Sequence, residues 1–393
     1  MLDTIESLAA IRLPDAHRPQ PQASDRHEHR RRAPRLPPMT HMIATISSHG
    51  LGHLAQTAPV LNALRRRQPG LRLTVASLLP ESRLRARIDG DFRIVARALD
   101  VGFEMEDAFR IDHAASARAY RGLHERWPQR LDETCEWLAA ERPDRLLANA
   151  AYLPLAAAAR LGIPACGMSS LNWADLFAHV FAKETWMPPL HAQMLQAYRS
   201  AVRFIKLRPG MAMPDLPNGR WAPAVARLGR PRHDELRARC GAAAGDRLVL
   251  VAFGGIDTRL PMQHWTHAPA LHWLVPQAWQ VAHPQVSAIE PLGWDFGHLI
   301  ASVDALIGKP GYGSFVEAAG SGTPVLYAAR PDWPEQQPLI AWLRRHGRAG
   351  EVSAAALQRG DLAAPLQALW RRPASPPARV DGADAVAAWL ARL

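Results

Sequence analysis

Cysteine is scarce in this 393-residue chain. Only Cys135, Cys166 and Cys240 occur, far apart and without a C-x-x-C pair, which excludes a disulfide scaffold and a zinc ribbon and suits a reducing compartment. Lysine is equally rare: of 47 basic residues, only Lys183, Lys206 and Lys309 are lysine. Apolar runs are short. The longest, such as 150–159, falls well below the roughly 20 residues that span a bilayer. No signal-peptide core follows the N-terminus, so the expected location is the cytoplasm. Basic stretches interleaved with aromatics are missing too. The net charge of +11 therefore reads as a solvated basic surface, with no nucleic-acid partner expected. The triplet Arg65-Arg66-Arg67 leaves peripheral association with an anionic inner-membrane surface open.

The remaining composition, 48% hydrophobic and 21% charged, is that of a globular protein long enough for two cores. Residues 1–40, rich in Pro, Arg and His, read as a disordered tail. Short apolar strands then alternate with helices. Strands are expected at 42–47, 71–78, 92–98, 145–148 and 163–168, with helical segments at 54–66, 114–141 and 153–161. Five prolines in 209–231 argue against any regular element there and mark an interdomain linker. Further strands are expected at 247–253, 273–276, 286–289, 304–307 and 324–328, and a closing helix at 385–393 with Asp384 as its cap. This pattern implies an α/β fold of two Rossmann-like parallel-sheet domains, 41–225 and 226–393, facing across a cleft.

Two motifs carry chemistry. Residues 304–337 read as strand, glycine turn, helix, strand and turn. Gly311 and Gly313 allow close backbone approach, and the helix start near Ser314 offers free N–H groups to an anion. Lys309 places a compact point charge in that loop, in a chain that otherwise chooses Arg. With Glu317 and Glu335 as hydroxyl acceptors, a nucleotide-sugar diphosphate fits this loop. The second motif is the turn Ser47-Ser48-His49-Gly50-Leu51-Gly52-His53 at the end of the first strand. It is not the G-x-G-x-x-G fingerprint, since the third glycine is missing and two histidines are present. A neutral imidazole here, His53 before His49, suits proton abstraction from a hydroxyl.

Other features are weaker. Asp89-Gly90-Asp91 imitates a metal-binding D-x-D, but Asp-Gly between a helix and a strand is ordinary turn chemistry, so no metal is expected. Trp265, Trp273, Trp279 and Trp294 read mainly as packing residues. His27-Glu28-His29 in the tail is a faint metal-capture pattern.

The His49–His53 turn, the pair Gly254-Gly255 and the 304–336 block together resemble GT-B-fold glycosyltransferases that use UDP-sugars. Within them, the chain is most similar to the glycosyltransferase-like module of L-arabinokinases and its stand-alone bacterial relatives. The residues that carry this are Pro143-Asp144, Gly162-Ile163-Pro164, Asn172-Trp173, Gly229-Arg230-Pro231-Arg232, the Gly308–Gly313 loop and Trp333-Pro334-Glu335. The similarity covers about 42–345. It implies that Gly311, Tyr312, Gly313 and Ser314 meet the diphosphate, with Gly254 and Gly255 opposite. It also implies that Glu317 meets the ribose, that Glu335 and Gln336 hold the donor sugar, and that His53 is the catalytic or acceptor-side histidine. Asn149 stands where a relative often has Asp, and the turn reads Glu-Gln-Gln rather than Asp/His-Gln. The implied activity is metal-independent glycosyl transfer from a nucleoside-diphosphate sugar, a co-substrate rather than a cofactor, to a hydroxyl acceptor. A nucleotide-sugar sensor and a nucleotide-sugar 2-epimerase remain the alternatives.

Overall fold

The strand–helix alternation builds two parallel sheets. The computed structural model describes residues 40–256, 258–265 and 269–393. The first sheet holds β1 (His41–Ile46), β2 (Arg72–Ala76), β3 (Arg93–Val95), β4 (Arg145–Asn149), β5 (Ala165–Ser169), β6 (Arg203–Leu207) and β7 (Gly219–Ala222). Its order is β3-β2-β1-β4-β5-β6-β7. The second holds β8 (Arg247–Val251), β9 (Leu271–Val275), β10 (Val286–Ala288), β11 (Ala305–Gly308), β12 (Val325–Ala328) and β13 (Ala349–Val352), in the order β10-β9-β8-β11-β12-β13. Every strand pairing is parallel. Every residue of β1, β4 and β5 is buried, because helices cover both faces; this is why these strands read as continuous rather than alternating apolar runs.

The structure departs from the sequence reading in several places. The 209–231 stretch is not free of regular structure: β7 sits between Pro217 and Pro223 and closes one edge of the first sheet. An edge strand needs hydrogen bonds on one side only, so flanking prolines are tolerated. Strands β6 and β13 were not anticipated. The 114–141 segment is two helices, His113–Glu125 and Trp127–Glu141, broken at Arg126 because Pro128 fits only in a first helical turn. The last helix starts early, at Gly382, with Asp381 at its cap position making no side-chain cap bond. Asp384 therefore lies inside the first turn, where it pairs with Arg66 at 3.6 Å. That helix returns to the first half: it packs on the helix Gly52–Arg67, and Arg145 Nη1 donates to the Leu390 carbonyl at 2.6 Å.

The halves meet closely at one point. A Cβ on Gly313 would lie 2.8 Å from Ala55 Cβ, so the helix Tyr312–Ser321 rests directly on the helix Gly52–Arg67. Tyr312 locks the junction, its hydroxyl accepting from Val225 N at 2.9 Å and donating to the Arg208 carbonyl at 3.1 Å. Among the described residues, no helix is long and apolar enough to cross a membrane. Two of the three clustered arginines are engaged within the chain. Arg66 pairs as above, while Arg65 donates to the carbonyls of Asp89 and Asp91 at 2.6 Å each, fixing the turn at Gly90 (φ +72°).

Candidate functional site

A cavity of about 310 Å³ lies between the two sheets. It is walled by residues just past the carboxyl ends of β1, β8, β11 and β12, where open parallel sheets gather ligands. His49, His53, Gly254, Gly255, Lys309, Gly311, Tyr312, Gly313, Ser314, Glu317 and Glu335 all line it. Gln336 does not. Its buried amide oxygen accepts from the Arg330 backbone N–H at 2.7 Å and shapes the 329–336 turn from behind.

On the first-half side, His53 opens the helix Gly52–Arg67 and is 4% exposed. Its Nδ1 lies 2.8 Å from Asn149 Oδ1 at the end of β4. The orientation of that amide is fixed: Asn149 Nδ2 donates to Thr57 Oγ1 at 2.8 Å and towards Gln56 Oε1 at 3.1 Å, leaving Oδ1 to accept. An accepting oxygen requires Nδ1 to carry the proton, so Nε2 keeps its lone pair. Burial lowers the His53 pKa, opposed by the Asn149 bond and by the carboxylates of Asp100 and Glu335. The imidazole is neutral near pH 7.

His49 is held differently. Its ring stacks on Trp333 (centroids 5.3 Å apart, planes 4° apart) and meets Trp173 edge-on at 5.3 Å. Enclosure pushes its pKa down to about 3, with His53, Arg330 and Lys309 adding repulsion. A Cβ on Gly102 would lie 3.1 Å from this ring, so the chain at Gly102, with φ +56°, runs tight against it. Trp173 Nε1 donates to Asp100 Oδ2 at 2.8 Å, and burial raises the Asp100 pKa.

A hydrogen-bond chain crosses the cleft. Gln56 Nε2 donates to Ser170 Oγ at 2.6 Å, and Ser170 donates to Glu335 Oε1 at 2.5 Å. Glu335 Oε2 accepts from Trp333 Nε1 at 3.0 Å, so both its oxygens are engaged. A second contact between halves joins Arg87 Nη1 to Glu317 Oε1 at 2.6 Å, almost out of solvent. Burial of Glu317 raises its pKa even against the pull of Arg87.

The glycine loops abut. A Cβ on Gly255 would lie 3.1 Å from Leu51 Cγ and 3.2 Å from Gly50 Cα, and Gly254 adopts φ +79°. Gly311 caps the helix Tyr312–Ser321 with extended backbone, and a Cβ there would meet only the Lys309 carbonyl oxygen, at 3.8 Å. The Tyr312 side chain is spent on the junction, which leaves its backbone for any ligand. Lys309 forms no hydrogen bond or ion pair among the described residues, and burial together with Arg330 pushes its pKa well below the ordinary amine range. Arg330 was not anticipated, nor were the positions of Asp100, Ser170 and Gln56. Nothing local distinguishes Arg330 among so many arginines. Of the four tryptophans read as packing, Trp265, Trp273 and Trp279 are buried in the second half, whereas Trp294 lines the cavity. His27-Glu28-His29 lies outside the described residues.

No family model matches the chain. Among solved structures, it superposes on the glycotransferase of kitacinnamycin with a TM-score of 0.58 at 17% identity, covering 91% of this chain and 95% of that one. The fold is GT-B. A second structural neighbour is a protein assigned as a UDP-N-acetylglucosamine 2-epimerase from Listeria monocytogenes. There the TM-score is 0.55 at 14% identity, over 89% of this chain and 94% of the other. By sequence, the chain is 24% identical over 301 residues to L-arabinokinase of Arabidopsis thaliana, which is 75% of this chain and 28% of that protein. The GT-B chain thus spans little more than a quarter of the length of the curated relative it matches.

Proposed function

We propose that this protein transfers a sugar from a nucleoside-diphosphate donor, with UDP as the expected nucleotide, to a hydroxyl acceptor. The observation that carries this reading is the Nδ1–Asn149 contact, which directs the lone pair of a neutral, buried His53 away from the Asn149 network, on the wall of a cavity that also presents the Gly311–Ser314 helix start. His53 Nε2 takes the acceptor proton as the hydroxyl oxygen attacks the anomeric carbon. The bond from that carbon to the diphosphate oxygen breaks, and the diphosphate leaves with inversion. Backbone N–H groups of the helix start meet the developing negative charge, and so does Lys309, whose charged form the diphosphate itself favours. Glu317 serves the ribose, Glu335 the sugar. Phe253, Pro276 and Ile289 offer an apolar surface to the base. The proposal needs no metal ion and keeps the cytoplasm as the expected location.

Incubating the purified chain with UDP-sugars and a panel of hydroxyl acceptors tests this. Release of UDP together with a glycosylated product is expected. The epimerase likeness supplies a second reading: release of UDP and free altered sugar without any acceptor would favour it. Binding without turnover across the panel would favour a sensor.

A further inference from the structure

We propose that the donor sugar carries a carboxylate, which the Arg330 guanidinium receives at the end of the cavity beside Trp333. This builds on the nucleotide-sugar reading above and names the class of sugar. Arg330 is 3% exposed, yet its Nε and Nη2 are buried without a hydrogen-bond partner among the described residues. Its guanidinium lies 4.2 Å from the centroid of the Trp333 ring. Glu335 and Asp107 attract its charge, but neither carboxylate accepts a hydrogen bond from it; Glu335 accepts from Ser170 and Trp333 instead. The Lys309 amine lies on the same wall, where burial and Arg330 disfavour its charged form until an anion is present. Structural arginines that are deeply buried are paired, because an uncompensated buried charge costs several kcal/mol (roughly 3–5). A guanidinium buried without a hydrogen-bond partner on the wall of a cavity points to an anion that arrives with the ligand.

The diphosphate has its own cradle at the Gly311–Ser314 helix start, on the loop after β11. Arg330 belongs instead to the turn after β12, the same turn that presents Glu335, and its backbone N–H is fastened to Gln336. It shares Trp333 with His49, the ring that stacks there from the catalytic turn. The guanidinium is therefore carried by the turn assigned to the donor sugar and packs on the ring shared with the acceptor-side His49, rather than being carried by the Gly311–Ser314 loop. A planar fork matches a carboxylate through two parallel N–H···O bonds, a match no neutral sugar hydroxyl offers. Burial holds the Arg330 pKa down to about 10, as expected of a cation awaiting its counter-charge.

Calorimetry on the full chain with UDP, UDP-glucose and UDP-glucuronic acid tests the proposal. The uronate is expected to bind at least about tenfold tighter than the glucose form. Arg330→Met should weaken only the uronate, on the order of ten- to a hundredfold, leaving UDP and UDP-glucose within roughly twofold. Arg330→Lys, which keeps the charge without the fork and so guards against misfolding of the first variant, should recover part of that loss. Equal affinity for both sugars, or no change in the variant, overturns the proposal. So does an equal loss for all three ligands, which would assign Arg330 to the diphosphate. If UDP itself fails to bind, as do GDP and its sugars, the nucleotide-sugar reading falls first, and this proposal with it.

Discussion

Ser170 donates its hydroxyl to Glu335 across the cleft at 2.5 Å, joining the end of β5 in one half to the turn after β12 in the other. Behind Ser170 stands Gln56, and behind Gln56 the amide of Asn149, which orients His53. The turn assigned to the donor sugar and the proposed base thus belong to one hydrogen-bond chain.

Ser170→Ala should cut that chain. Glu335 and the Gln56 amide would each lose a buried partner, a cost of about 1–3 kcal/mol in unfolding free energy. Urea denaturation reads it, as a lower midpoint at unchanged slope. A variant as stable as the parent would show that the contact contributes nothing.

Gly313→Ala tests the contact between halves. The added Cβ meets Ala55 Cβ at 2.8 Å, with helix backbone behind both, so the helices must separate. Destabilisation of about 1–3 kcal/mol is expected, as for overpacking elsewhere, together with weaker nucleotide binding. Calorimetric melting and UDP titration measure the two effects.

These tests turn on residues the sequence revealed unevenly. The three glycine turns were legible because glycine and proline punctuate locally: Gly50, Gly254 and Gly311 announce strand exits without tertiary knowledge. The parallel α/β architecture was legible for the same reason, in near-continuous runs such as 247–251. Arg330, Ser170 and Asp100 were not, because their meaning comes from partners far off in the sequence. Ser170 is one of many serines until Glu335 is brought within 2.5 Å. Gln336 shows the converse: its neighbour Glu335 enters the cavity, while its own side chain turns back to support Arg330.

The pH dependence follows from His53. Its pKa is lowered from the ordinary imidazole value of about 6.5, mainly by burial. The base is then neutral at and above pH 7, so the limb of kcat/KM that His53 sets should lie on the acid side, below the usual imidazole range. Asp100 favours the charged ring, so Asp100→Asn should move that acid limb to still lower pH. A limb that moves upward, or stays in place, contradicts the assignment.

Transfer should persist in EDTA. The charge on the leaving diphosphate is assigned to helix N–H groups and Lys309, and Lys309→Met should lower kcat by on the order of 10²-fold, the loss typical of one such donor. Abolition of the wild-type rate by EDTA, restored by a divalent cation, would reassign that charge to a metal.

The most direct test of the account is His53→Ala, assayed for UDP affinity and for glycosyl transfer on the same preparation. The account predicts a UDP affinity near that of the parent and a transfer rate lower by about 10²–10⁴-fold, the usual worth of a positioned general base. A variant that binds UDP and transfers sugar at the parental rate would contradict it.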